Sequence, residues 1–254
     1  MLKQRNKNLH AKHHRILRIE YILFGSKQVN MAYFTEEYLN FFKELAANNN
    51  KDWFDLHRKR YEQHVREPFK IFVRDLIDAL NEQGAGIELE PKHFIFRINR
   101  DIRFSKDKTP YKLHFSAALS KYGRKDWDHP SLYVQLDPEH ARIYSGLYKP
   151  GKEALLAIRE KIASEPKRFE QALEHTAFTS TFGEVHGEKN KIIPKHLKED
   201  AKEQPLMYNK GWYYFAKYDP EIILKDDLIE FVVKHYLASQ PLDSFFEDAV
   251  NKTA

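Results

Sequence analysis

The hydrophobic period of this chain changes twice, and few folds accommodate such a change. Between residues 35 and 80 apolar positions recur every three or four residues, and from 94 to 147 they alternate. From 152 onwards the helical period largely returns, interrupted by one more alternating run at 212–218. Helices, then antiparallel strands, then helices, with no low-complexity linker or internal repeat between them, read as an α+β fold. The expected architecture is a mainly antiparallel sheet flanked by N-terminal and C-terminal helices.

Thr35 is placed to cap a first helix, with Tyr38, Phe41, Phe42 and Leu45 on one face and Glu36 and Glu37 in its first turn. Asn48, Asn49 and Asn50 end it, because asparagine tolerates left-handed backbone. A second helix is expected over 52–65. Glu67-Pro68 starts a third, whose stripe of Phe69, Phe72, Val73, Leu76, Ile77 and Leu80 is the clearest core face in the chain. Gly84 and Gly86 stop it. Phe94, Phe96, Ile98, Ile102 and Phe104 then share one parity, the mark of a strand with one buried face. Residues 113–119 alternate again, 131–136 and 141–147 read as a hairpin closed by Asp137-Pro138, and 212–218 as a further strand. Helices are expected after Pro150-Gly151, from Pro166 and, at the end, over 227–238 and 242–250. Residues 180–204 are polar with weak helical character.

Charge is unevenly spread. The net charge is +5, but residues 1–30 carry seven lysines and arginines against Glu20 alone, so the remainder nets −1. A basic isoelectric point therefore belongs to the leader and does not argue for nucleic acid. The leader holds no apolar stretch of the ~7–15 residues a secretory signal needs, and a transit peptide is serine-rich where this one has Ser26 alone. Residues 1–30 are expected to be a basic, disordered leader, with Met31 opening a single α+β domain over 31–254. No apolar run approaches the ~20 residues of a membrane span, so no membrane partner is expected. The absence of cysteine removes disulfides, thiolate metal sites and cysteine nucleophiles, and fits a reducing, cytoplasmic location. No GxSxG, P-loop, GxGxxG or HExxH is present, which removes several common enzyme classes without naming a cofactor.

One segment carries chemistry. Residues 97–112 hold Arg97, Arg100, Arg103, Lys106, Lys108 and Lys112 against Asp101 and Asp107, a net +4 in a body that is otherwise near neutral. On a strand, Arg97, Asn99, Asp101 and Arg103 share the face opposite Phe96, Ile98 and Ile102, with alternate residues about 7 Å apart. Three readings follow. The segment is a satisfied salt-bridge ladder, which contributes little to stability. Or it is an anion pocket in which Arg97, Arg100 and Arg103 grip phosphate or carboxylate, Lys108, Lys112 and the Tyr111 hydroxyl add donors, and Asp101 orients an arginine. Or it is a basic hairpin that contacts nucleic acid, with Phe104, Tyr111 and Tyr122 for stacking. As an enzyme, the chain would use Asp101 or Asp107 as general base, with arginines stabilising developing negative charge. Elsewhere, Trp53, His57 and Tyr61 at helical spacing read as packing, Asp126, Asp128 and His129 as a solvated turn rather than a metal site, and Gly146 as a bulge or a close approach.

Arg97, Arg100, Asp101, Arg103, Phe104, Lys108 and Tyr111 resemble the hallmark motif of an uncharacterised, mostly bacterial family, domain-of-unknown-function family 2461. Asn48-Asn49, Trp53, Phe54, Arg58 and Tyr61 resemble its N-terminal signature, and Gly146-Leu147-Tyr148 with Pro150 its glycine-tyrosine-proline stretch. The resemblance covers about residues 34–250 and implies no activity, substrate or catalytic residue. The function expected is the binding of an anionic, phosphorylated small molecule at 97–112; the alternative is a non-catalytic nucleic-acid or protein interaction module.

Overall fold

The computed structural model describes residues 32–251, so the leader and Met31 lie outside the described residues. The helical period builds α1 (Glu36–Ala47), α2 (Lys51–Leu56), α3 (Arg58–Tyr61) and α4 (Glu67–Glu82). The alternating period builds β1 (Phe115–Leu119), β2 (Leu132–Leu136) and β3 (Ala141–Leu147). After them come α5 (Lys152–Ser164), α6 (Pro166–Leu173), α7 (Thr176–Phe182) and α8 (Asp200–Glu203), then β4 (Trp212–Tyr218) and α9 (Leu228–Val250). The sheet is antiparallel in the order β1-β2-β3-β4, an α+β fold with helices at both ends. No helix among the described residues is long and apolar enough to cross a membrane.

Strand alternation decides which face meets the helices. Phe115, Ala117 and Leu119, then Leu132, Val134 and Leu136, then Ala141 and Ile143 are buried in one apolar cluster with the stripes of α1 and α4. Every member of the α4 stripe lies in that cluster. Trp212, Tyr214 and Ala216 of β4 belong to a second cluster with α5, α6, α7 and the C-terminal half of α9. The opposite face of the sheet carries Tyr133, Gln135, Arg142, Tyr144, Tyr213 and Phe215, all half-buried. The register sets Tyr133 beside Tyr144 and Tyr144 beside Phe215. One of the two cavities described below lies on that second face.

Three local expectations are corrected. The run from Phe94 to Phe104 forms no strand: it touches the sheet at Ile95–Ala117, makes an isolated bridge from Asn99 to Tyr111 ahead of β1, then leaves. Phe94 and Ile98 are buried, whereas Phe104 is 95 % exposed. The second and third helices are not separate stretches broken at Pro68. The chain bends at His57 and then runs continuously from Arg58 to Glu82 through a π-turn, Glu62–Arg66, in which the Glu67 N–H reaches the Glu62 carbonyl. Pro68 has no N–H to close a turn on His64, and the wider turn just before it absorbs the loss. At the other end, α9 passes through Pro241 without interruption. Buried Ala238, Leu242, Phe245 and Phe246 hold both sides of the proline, and that packing offsets the ~3 kcal/mol a helical proline costs.

Candidate functional site

The continuous helix through the π-turn aims Arg58, Tyr61, Glu62, Arg66 and Lys70 at the irregular stretch Ile95–Asn99. Between them lies a cavity of about 390 Å³. Its wall holds six cationic side chains, Arg58, Arg66, Lys70, Lys92, Arg97 and Arg124, against one carboxylate, Glu62. Tyr111 closes one side, stacked on Phe54 with ring centres 4.1 Å apart. Asn49 fixes it there: its side chain donates to the Tyr111 carbonyl at 2.9 Å and accepts from the Tyr111 N–H at 3.1 Å. One residue of the N-terminal asparagine signature thus positions the end of the cationic motif.

The six cations differ in what neutralises them. Arg58 pairs with Asp55 at 2.5 Å, Lys70 with Glu67 at 2.8 Å and Lys92 with Glu90 at 2.6 Å. Arg66 grips Glu62 through both carboxylate oxygens, at 2.7 and 2.9 Å. Arg97 forms no ion pair with any described residue, and neither does Arg124, which donates to the Lys92 carbonyl at 2.7 Å and lies 6.0 Å from the Phe96 ring centre. Two guanidinium groups therefore line one recess with no acid partner among the described residues.

The rest of the cationic run behaves differently. Asp101 accepts from Arg103 Nε at 2.9 Å and Nη2 at 2.7 Å, and this pairing holds its carboxyl down at about 2. Arg100 bonds to the Asp107 carboxylate and to Thr109, and Lys108 donates to the Ile102 carbonyl at 2.9 Å. Asp107 also lies at about 2, held first by the Thr109 backbone N–H and then by Arg100. Arg100 is thus paired with Asp107 and Arg103 with Asp101, Lys108 meets only a backbone carbonyl, all of them lie outside the cavity wall, and both aspartates are weak bases at neutral pH. Of the expected set, Arg97 and Tyr111 line the cationic cavity and Lys112 lines its neighbour.

That neighbour, about 470 Å³, shares Phe96 and Arg124 with the first and lies on the second face of the sheet. Its walls are aromatic: Phe96, Trp127, Tyr133, Tyr144, Tyr148 and Tyr213. Gly146 lines it too, with φ at +96°, and a Cβ there would stand 2.2 Å from the Trp212 carbonyl oxygen, so the adjacent strand compels the glycine. His114 and Lys112 enter from the chain just before β1. Burial, and after it the Lys112 charge, lowers the His114 imidazole to about 4, so it is neutral at physiological pH. Burial and then the charge of Arg97 lower Lys112 as well. The sequence reading took the strands by their core-facing residues; the signal for this cavity was the aromatic content of the other parity, Tyr133, Tyr144 and Tyr213.

Other clusters are accounted for by structure. Asp137, Glu139 and His140 bring ligand atoms within 4.8 Å of one another, but Asp137 already accepts from the backbone N–H groups of Glu139 and His140 and pairs with Arg142. Asp126 bonds to His129 at 2.9 Å and Asp128 accepts from the Gly151 N–H at 2.6 Å, which organises a turn. Trp53 stacks on His57 at 4.0 Å as packing. Asp243, buried, accepts from the hydroxyls of Ser145 and Tyr214. Comparison with known families matches the chain to a family described as a conserved hypothetical protein (DUF2461), over residues 37–245. No curated protein matches the chain.

Proposed function

Since the chain belongs to the DUF2461 family of conserved hypothetical proteins, whose description carries no activity, we propose its function from the cationic cavity: it binds a small anionic, phosphorylated ligand there. The observation that carries this reading is the pair Arg97 and Arg124, guanidinium groups that both line the cavity and form no ion pair with a described residue. A planar guanidinium donates two parallel N–H groups to phosphate or carboxylate; Arg124 is half-buried, and Arg97, although exposed, is free of any ion pair with a described residue. Lys92, Lys70 and Arg66 line the same recess but are each paired with a glutamate, so the net positive charge that favours capture of an anion comes from Arg97 and Arg124. The volume suits a small molecule. No catalytic step is assigned, because the two aspartates of the motif are tied to their own arginines.

A thermal-shift panel of phosphate, pyrophosphate, sugar phosphates and nucleotides tests the reading. At about a hundredfold excess over Kd a bound anion should raise the melting temperature by roughly 5–10 °C. The rise should vanish in the Arg97→Ala/Arg124→Ala double variant and persist in Arg103→Ala. No shift with any anion contradicts the proposal. Binding of random oligonucleotides with a steep salt slope would move the assignment to a nucleic-acid module instead.

A further inference from the structure

The aromatic cavity is not needed to hold a phosphate, and two of its wall rings stand open to solvent. Tyr148 and Trp127 are 54 % and 48 % exposed, their ring centres 6.3 Å apart, and Tyr148 meets Tyr213 at 5.4 Å. A second chain of rings runs from Phe96 to Tyr133 at 5.9 Å and on to Tyr144 at 5.7 Å. Lys112 stands 5.3 Å from the Phe96 ring centre and forms no ion pair with a described residue. His114 lines the cavity, and neither of its ring nitrogens is hydrogen-bonded to a described residue. Aromatic walls, a neutral imidazole free to donate at one nitrogen and accept at the other, and uncompensated cations at the border with the phosphate recess are three independent features of one place.

Resting on the reading above, we infer that this cavity receives the planar ring of the same ligand, so that the ligand is a heteroaromatic ring joined to a phosphate: the chemistry of a mononucleotide. Ring stacking on aromatic side chains is tolerant of which base is present, because every base offers a π face. The polar edge of such a ring carries both donors and acceptors, which is what a neutral His114 complements. Phe96 and Arg124 line both cavities, so the ring and the phosphate of one molecule fall on either side of a shared wall. Lys112, on the ring side of that wall, adds a positive charge close to the border.

The test is isothermal titration of the full chain with ribose phosphate, adenosine and the monophosphates of adenosine, guanosine, cytidine and uridine. At least one nucleotide should bind about tenfold more tightly than ribose phosphate, which carries the same anion without the ring. In Tyr148→Ala, at a half-exposed position, that advantage should disappear while ribose phosphate binds as before; Trp127→Ala serves as the second variant, with circular dichroism to confirm folding. Nucleotide and ribose phosphate binding with equal affinity would overturn the inference and leave the anion reading standing. Adenosine binding as tightly as its phosphate, with no loss in Arg97→Ala, would overturn the anion reading and with it the joint ligand. If none of these compounds binds the folded chain, both are overturned.

Discussion

Arg97 and Arg103 lie six residues apart in one cationic run and end in opposite electrostatic states. Arg103 is 76 % exposed and gripped by Asp101, a solvent-screened surface pair of the kind that contributes little to stability. Arg103→Ala should therefore leave the denaturant midpoint essentially unchanged and anion binding intact. Arg97→Ala should leave stability similarly unchanged yet weaken pyrophosphate binding by roughly tenfold or more, since hydrogen bonds to charged groups contribute ~1.5–3 kcal/mol. Charge counting alone could not separate the two arginines: the distinction depends on where the chain leaves the sheet. Titration offers a second residue-scale prediction. His114 falls from 6.5 to about 4 on folding, so the native state resists its protonation. Its contribution to stability is present above about pH 6.5 and lost as pH falls towards 4. Asp243, pushed by burial from 3.8 up to about 6, has the opposite sign: its protonated form is favoured by folding, and stability is lost as pH rises from about 4 through 6. Denaturant unfolding across this range should find wild type losing more stability on acidification than His114→Gln, and less than Asp243→Asn.

At the scale of elements, the helices and hairpin were legible because their burial follows local periodicity. The α4 stripe and the alternation of β2 predict their own environments residue by residue. The stretch after Phe94 was not legible. Its parity is genuine as far as Ile98, but beyond Asn99 no neighbouring strand takes up the ladder, and parity without a partner is only a pattern. The helix through Pro241 was missed for the converse reason, since tertiary packing overrode a local breaker. The site was legible only in part: Arg97, Lys112 and Tyr111 come from the cationic run, whereas Arg66 reaches the same region from a helix about thirty residues earlier, and Lys92 and Arg124 from just outside the run on either side. Two substitutions probe how elements hold it. Asn49→Ala removes both bonds to the Tyr111 backbone and should cost about 1–3 kcal/mol in denaturant unfolding, with anion binding weakened alongside. Gly146→Ala forces a Cβ against the Trp212 carbonyl at positive φ and should cost about 2 kcal/mol or more. Neutral behaviour at either position would contradict the roles given to them.

Across the whole of the described chain, two buried clusters share a sheet and one long helix. α9 contributes Leu228 and Val232 to the first cluster and Leu242, Phe245 and Phe246 to the second. A helix anchored in both should couple them, so calorimetric unfolding is predicted as one transition whose calorimetric and van't Hoff enthalpies agree. Two resolved transitions would show that the clusters melt apart. The cationic cavity draws on Arg58 to Lys70 and on Ile95 to Asn99, beside the first cluster, and its cations outnumber nearby carboxylates although the chain after residue 30 nets −1. Calorimetric titration of pyrophosphate into wild type, Arg97→Ala/Arg124→Ala and Arg103→Ala is the most direct test. Saturable binding at one site in wild type and Arg103→Ala, lost in the double variant, is the predicted result. No heat of binding in wild type, or equal affinity in all three proteins, would contradict the account.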